Sequence, residues 1–187
     1  STVGLTAATS RAPVAPTSPP SKPASAPRSF LPSTAIPPNP RKAAIKTICL
    51  NPVGVVKKQG QRAWLEVLPE YGPALKGLQD FSHLWVFYWF HGNDNPEERR
   101  TLQVHPRRDP ANPLTGVFAC RAPVRPNLIG FTACRIIKVE GRVVEVADLD
   151  ALDGSPILDL KPYIPSGDAI PEAVTPEWLK RSKPPAD

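Results

Sequence analysis

The sequence predicts one mostly-β domain behind a disordered N-terminal tail. Three observations carry that expectation. A chain of 187 residues has room for one domain with a sizeable core, whereas two domains would each be small for their surface. From Ser1 to Pro40 the residues are mainly Pro, Ala, Ser and Thr with few large apolar side chains, a composition that cannot bury enough surface to offset its chain entropy. After Lys46 the pattern changes to short apolar runs separated by turn residues, the mark of an all-β domain. The expected organisation is a tail over residues 1–43, a domain over 44–170 and an extension over 171–187 that carries a short helix.

Each element follows from a local pattern. Ile48 to Val56 is expected as a first strand, interrupted by Asn51-Pro52 and Gly54. Ala63 to Leu68 alternates, with Trp64, Glu66 and Leu68 on one side and Leu65 and Val67 on the other, and reads as the second. Tyr71 to Leu78 is a short helix or turn. His83 to Phe90 is almost entirely apolar and aromatic, which predicts a strand covered on both faces. Gly116 to Arg121 is a further strand. Ile129 to Val139 and Arg142 to Val146 flank Glu140-Gly141, a tight hairpin signal, and Ile157 to Leu160 closes the set. A last helix is expected to start with Thr175 as N-cap and Pro176 at its first position. The count is about seven strands with little helix and no internal repeat.

Composition narrows the function classes. Lys and Arg number 23 against 17 Asp and Glu, with a pI near 9.4. However, Arg11, Lys22, Arg28, Arg41 and Lys42 all precede Ile45, where no acid occurs, so from Ala44 onward the balance is 23 − 5 = 18 against 17. The domain is close to neutral, and global charge is a weak argument for a nucleic-acid surface. Cys49, Cys120 and Cys134 are odd in number and lack CxxC spacing, which argues against a disulfide framework or cysteine-zinc site and fits a reducing compartment. No apolar run approaches a membrane span, and no signal-peptide core is present at the start. A soluble, cytoplasmic protein is expected, with no membrane partner. Methionine is absent, also at position 1, so residue 1 is not expected to be a retained initiator.

Two segments have the composition of a binding site. In GVFACRAPVRPNLIG (Gly116–Gly130), Arg121 and Arg125 are four apart on a chain stiffened by Pro123 and Pro126. If that chain is extended, both face the same way with Cα atoms roughly 12 Å apart, a spacing at which two guanidinium forks suit a carboxylate or phosphate. Two exposed surface arginines are the competing reading. In DLDALDGSPILDLKPYIP (Asp148–Pro165), Asp148, Asp150 and Asp153 lead into a Gly-Ser-Pro turn that can direct carboxylates and backbone amides to one place, for ribose hydroxyls or an ammonium group. Ordinary turn residues explain at least one of those acids equally well, and the spacing is not that of an EF-hand. His83, His91 and His105 have neither HxH nor HExxH spacing, so no metal is expected. His83 reads as structural, whereas His91 ends the aromatic strand where Gly92, Asn93 and Asp94 open a loop, a usual place for a ligand contact. Neither GxGxxG nor GxxxxGK[ST] occurs, so a nucleotide-like ligand is not held by a Rossmann or P-loop device. Cys120 and Cys134 are expected within strands and packed.

LQDFSHLWVFYWFH (Leu78–His91), GVFACRAPVRPNLIG and DLDALDGSPILDLKPYIP, in this order, resemble the TrmO family, also called TsaA-like or YaeB-like. The family pattern runs close to GLEEFSHLWVLYWFH, then GVFATRSPFRPNPIG, then LDLLDGTPVLDIKPYVP. The resemblance implies a small β-barrel that binds S-adenosylmethionine in a site completed across a homodimer. It also implies methylation of the threonylcarbamoyl-modified adenosine next to the anticodon of tRNA. Position by position, it places His91 and Gly92 in the cofactor contact after the aromatic strand and Arg121 on the arginine of the second motif. Phe131 falls on the apolar residue after the Ile-Gly pair, and Asp153, Gly154, Ser155 and Pro156 fall on the Asp-Gly-Thr-Pro turn. Arg125 and Asn127 match the Arg-Pro-Asn triplet that shapes the pocket or meets RNA, and Arg107 is taken with them as a substrate contact. His91 is the first candidate for the base.

The departures from the pattern are specific. Family members carry a Pro-Arg-Gln-Gly-type loop after the first strand, where Val53 to Trp64 passes almost directly into the next strand and only Gln59 and Gly60 echo it. Gly92 stands where Gln or Arg is usual, and Leu128 replaces the second proline of RPNPIG. These differences favour cofactor binding over an exact RNA substrate. They leave open a same-fold methyltransferase on another RNA or small molecule, or a non-catalytic cofactor- or RNA-binding module.

Overall fold

The computed structural model describes residues 47–180, so the tail expected over residues 1–43 lies outside the described residues. The described chain is mostly β with a few short helices, as the sequence predicts. Its strands are β1 (Gly54–Gln59), β2 (Arg62–Val67), β3 (His83–Trp89), β4 (Gln103–Val104), β5 (Thr115–Gly116), β6 (Ile129–Glu140), β7 (Val143–Ala147) and β8 (Pro156–Pro162). Six of them close a barrel in the order β1-β2-β7-β6-β3-β8, with β8 returning to β1 through Gly54 opposite Ile157 and Val55 opposite Pro156. Every pairing is antiparallel, and closure leaves no barrel edge unpaired. The remaining two strands form a separate ribbon, β4-β5.

Period-2 alternation builds the interior. Val56, Leu65, Leu84, Val86, Cys134, Val144 and Ile157 are fully buried, and each comes from an inward position of its strand. Leu75 and Leu78, from the 3₁₀ turns Pro69–Leu75 and Leu78–Asp80, cap one part of this core. Two register shifts bend the wall. One lies between Phe87 and Tyr88, where β8 carries an extra residue against β3, and the other between Ile136 and Lys138, where β6 carries one against β7. Such bulges are how a small barrel turns its corners. At Gly54 a Cβ would lie 2.5 Å from the Glu66 carbonyl oxygen, so glycine there permits the close approach of β1 and β2.

The β6–β7 hairpin forms as predicted, with Gly141 at φ 57° in the turn. Three expectations need correction. The first strand does not begin at Ile48, which is exposed in irregular chain, but at Gly54, and it runs on through Lys57, Lys58 and Gln59. Pro52 and Asn51 end the irregular lead-in, and the register to β2 carries the polar residues along. The strand expected at Gly116 to Arg121 is only Thr115–Gly116, followed by the 3₁₀ turn Val117–Ala119 and by bends. Cys120 accordingly sits in a half-buried bend rather than a strand. Finally, β3 is covered fully on one face only. Leu84, Val86 and Tyr88 point inward and are buried, while Trp85, Phe87 and Trp89 are half-buried on the outside. A barrel has one interior, so the outward aromatics pack on one another instead.

Beyond the barrel are α1 (Pro96–Arg100), α2 (Pro165–Asp168) and α3 (Glu177–Lys180). The last follows Pro176, in keeping with the expected helix start. Among the described residues no helix is long and apolar enough to cross a membrane.

Candidate functional site

A cavity of about 350 Å³ opens beside the β3–β6 pair, lined by Trp85, Tyr88, Phe90, Arg121, Arg125, Asp150 and residues 129–133. Its floor depends on one glycine. A Cβ on Gly130 would lie 2.6 Å from Tyr88 Cε2 and 2.7 Å from Phe90 Cζ, so both rings lie over a bare backbone. They meet edge to face with centroids 5.5 Å apart. Burial pushes the Tyr88 phenol above its ordinary pKa, so it stays a neutral hydroxyl, 3.3 Å from Thr132 Oγ1.

Phe131 also lines the cavity, and its ring lies 5.4 Å from Trp85 and 6.1 Å from Phe87. Arg121 lies over this ring at 4.7 Å, a cation–π distance. The guanidinium is exposed, which leaves its donor edge for an anionic ligand. Arg125 behaves differently. It turns back and donates through Nη2 to the Val117 carbonyl and to the Cys120 carbonyl at 3.0 Å, and its Nε is buried without a hydrogen-bond partner among the described residues. The expected extended segment with two parallel forks does not form. Pro123 and Pro126 stiffen a bent loop, and Arg125 holds that loop closed.

His91 and Gly92 lie against the Asp153–Pro156 turn. The His91 Nδ1 is 3.2 Å from Ser155 Oγ, and a Cβ on Gly92 would reach Leu152 Cδ1 at 4.0 Å. The turn is tied to β1 at three points. Lys58 N donates to Asp153 Oδ1 at 2.8 Å, Gly154 N to the Val56 carbonyl at 2.9 Å and Val56 N to the Ser155 carbonyl at 2.9 Å. Gly154 takes φ 77°, which a side chain would disfavour, and Ser155 is buried. The Lys58 ammonium donates to the carbonyls of Leu149 and Ala151, each at 2.9 Å. Both residues flanking Asp150 are therefore pinned while its own carboxylate stays exposed.

The loop after His91 is also ordered. Asn95 caps α1 by accepting from Glu98 N at 2.9 Å. Arg99 donates to Asp94 Oδ1 at 2.8 Å and to the Pro126 carbonyl at 3.3 Å, and it covers the Trp89 ring at 5.1 Å. Trp89 Nε1 donates to Asp94 Oδ2 at 3.0 Å. The Arg99 hydrogen bond, followed by that of Trp89, holds the Asp94 carboxyl below its usual pKa. This cluster joins the end of β3 to the Arg-Pro-Asn segment.

The predicted residues thus gather in two groups. Arg121, Arg125 and Phe131 meet at the cavity, whereas His91, Gly92 and Asp153–Pro156 meet at the β3–β8 end and do not line it. Asn127 is exposed, and its carbonyl accepts from Ile129 N at 2.8 Å. Arg107 lies in a second, larger groove. Sequence reasoning missed Gly130, whose role is a clearance, and Lys58, whose contacts span more than ninety residues. Asp150 stood among three turn acids with nothing in the sequence to single it out. Among the described residues no group of His, Cys, Asp and Glu side chains is gathered as a metal ion would require.

The sequence profile described as the tRNA-methyltransferase O N-terminal domain matches residues 46–169. The chain belongs to this family. A probable S-adenosyl-L-methionine-binding protein of Pyrococcus horikoshii is 43% identical over 110 residues, which are 59% of this chain and 78% of that protein. A protein of the same description from Methanocaldococcus jannaschii is 41% identical over 112 residues, 60% of this chain and 89% of that one. The tRNA (adenine(37)-N6)-methyltransferase of Mus musculus is 44% identical over 101 residues, 54% of this chain but 22% of the mouse protein. Among solved structures, TrmO from Pseudomonas aeruginosa matches with a TM-score of 0.57 at 29% identity, over 73% of this chain and 64% of that one. The family domain is thus shared, while the solved TrmO chain and the mouse protein extend beyond what this chain spans.

Proposed function

We propose that this chain is an S-adenosylmethionine-dependent methyltransferase acting on tRNA, with N6 of the threonylcarbamoyl-modified adenosine next to the anticodon as methyl acceptor. The observation that carries the reading is Arg121 over Phe131 in the wall of an aromatic-lined cavity that Asp150 also lines. S-adenosylmethionine presents a carboxylate, an ammonium, a sulfonium and a flat base. An exposed guanidinium suits the first, a carboxylate or turn amides suit the second and the ribose, and aromatic rings suit the last two. The residues present fit the group, and the names of the archaeal relatives agree with it.

The cofactor supplies an electrophilic methyl group when bound. The protein's part is to position and to exclude water, which suffices for much of a direct displacement. Arg121 anchors the carboxylate end, and the rings of Tyr88, Phe90 and Phe131 dry the cavity. His91 takes the proton of the attacking nitrogen. With its Nδ1–H donating to Ser155 Oγ, its Nε2 carries the lone pair. The Asp153–Pro156 turn fixes the ring through Ser155.

The division of the predicted residues between the cavity and the β3–β8 end supports a homodimer in which one protomer's His91 group faces its partner's Arg121 group. The half-buried aromatic outer face of β3 supports the same assembly. The mouse relative's name supports the acceptor. The two-residue β1–β2 connection, Gln59 opposite Arg62, favours a second reading. With no loop reaching out from β1, a different RNA or a small molecule would serve as acceptor, or the module would bind without catalysis.

Calorimetric titration with S-adenosylmethionine and with S-adenosylhomocysteine tests the cofactor. Micromolar binding of both is expected, and no binding by folded protein rejects the reading. Transfer of labelled methyl to tRNA, with mass spectrometry of the nucleosides, tests the acceptor. Light scattering after gel filtration tests the dimer.

A further inference from the structure

We infer that the groove beside the cofactor cavity is the docking surface for an unpaired RNA strand, whose base stacks on Phe118 or Trp178 while Arg107 and Arg108 hold its phosphates. The groove encloses about 960 Å³ and runs between the loop at residues 104–108, the segment at 118–124 and the C-terminal residues Pro176, Trp178 and Leu179. The inference rests on the methyltransferase reading in one respect only, that the reactive base must face the cofactor.

The lining has the chemistry of a single-strand site. Among the described residues it carries Arg107, Arg108 and Arg121 and the acid Asp150, in a domain that is otherwise near neutral. Phe118 is an apolar ring 86% exposed, and Trp178 adds a second flat surface. Aromatic faces among arginines are how proteins hold unpaired bases and the backbone that joins them. An acidic peptide would use the charges but leave Phe118 uncovered.

The cationic edge is held rigid at a conformational cost. Arg107 and Arg108 both lie in the left-handed region, at φ 62° and φ 56°, which side chains other than glycine adopt only when the surroundings enforce it. The enforcement is visible. His105 Nδ1 donates to the Asn112 carbonyl at 2.7 Å, and the Asn112 side chain, 3% exposed, donates to the Pro106 carbonyl at 2.9 Å. Arg107 Nη2 donates to the Leu179 carbonyl at 3.2 Å, which binds the C-terminal turn to the same loop.

Continuity places the docked base. Arg121 and Asp150 line both the groove and the cavity, so they form the wall between them, with Asp150 fixed by the Lys58 ammonium on either side. A base in the groove reaches the cofactor across that wall. Trp178 lies outside residues 46–169 that match the family.

The test uses the full chain and fluorescence anisotropy with a labelled oligoriboadenylate of about ten nucleotides, within the usual span of single-strand sites. Phe118→Ala and Trp178→Ala should each weaken binding roughly five- to a hundredfold, the effect of losing one stacked base. Phe118 is exposed, so its loss leaves folding intact. Arg107→Gln with Arg108→Gln should lower the slope of log affinity against log salt by about 0.7 per charge removed. S-adenosylmethionine affinity, measured in parallel, should stay unchanged in all of these variants. RNA affinity insensitive to both aromatic changes overturns the groove assignment. Loss of cofactor binding in the parent chain while these RNA effects persist overturns the methyltransferase reading and leaves the groove standing.

Discussion

Ser155 Oγ lies 3.2 Å from His91 Nδ1 across 64 residues of sequence. The serine is buried just before β8 and the histidine exposed just after β3, so the pair joins the chain at the neighbouring ends of two barrel strands. Ser155→Ala should free the His91 ring and lower methyl transfer roughly fivefold, a loss of about 1 kcal/mol of positioning. The melting temperature should move little, because the exposed ring can turn to water. A rate equal to that of the parent would show that the orientation of His91 does not matter.

Gly130→Ala is expected to damage both stability and site. The new methyl would lie 2.6 Å from Tyr88 and 2.7 Å from Phe90, and overpacking of this kind costs about 1–3 kcal/mol. The rings can yield only by leaving the cavity wall they form, so cofactor affinity should fall with the melting temperature. Phe90→Leu in the same chain should restore part of the stability. Unchanged denaturation and binding would show that the wall adapts freely.

The two arginines of the second motif should separate in experiment. Arg121 makes a ring contact and is exposed, whereas Arg125 bridges the Val117 and Cys120 carbonyls. Arg121→Ala should lower S-adenosylmethionine affinity roughly ten- to a hundredfold with stability nearly intact, and Arg121→Lys should not restore it, since lysine lacks the planar fork. Arg125→Ala should cost about 1.5–3 kcal/mol of stability, the range for hydrogen bonds to a charged group. Equal effects of both on urea denaturation would refute the division.

That division also marks the limit of what the sequence discloses. The β6–β7 hairpin is legible because Glu140-Gly141 is a local turn signal, and the inward residues of β2 and β3 are legible because alternation is a property of consecutive side chains. The loop from Val117 to Asn127 is not. Its two prolines argue for an extended chain, yet a half-buried arginine satisfying carbonyls five and eight residues back bends it. The Lys58 clamp on Leu149 and Ala151 depends on barrel closure, which no local pattern encodes. His91 and Ser155 are nameable separately by their motifs, but their contact is a product of the β3–β8 register.

The core cysteine gives the fold a pH limit. Cys134 is fully buried in β6, and burial, with a smaller contribution from the nearby Asp148 charge, pushes its thiol from 9.0 up to about 12. The sign follows from proton binding. Above pH 9 the unfolded chain releases the thiol proton while the folded chain keeps it, so ionisation favours unfolding. The contribution is fully present below about pH 9 and is lost as pH rises toward 12. Tyr88, also raised by burial, acts in the same direction at higher pH. The melting temperature should therefore fall by several degrees between pH 9 and pH 11, and Cys134→Val should flatten that fall. In native protein at pH 8 a thiol reagent should modify exposed Cys49 and spare Cys134 until denaturant is added. Rapid labelling of Cys134 in folded protein would mean that the barrel opens locally at β6 far more often than its packing implies.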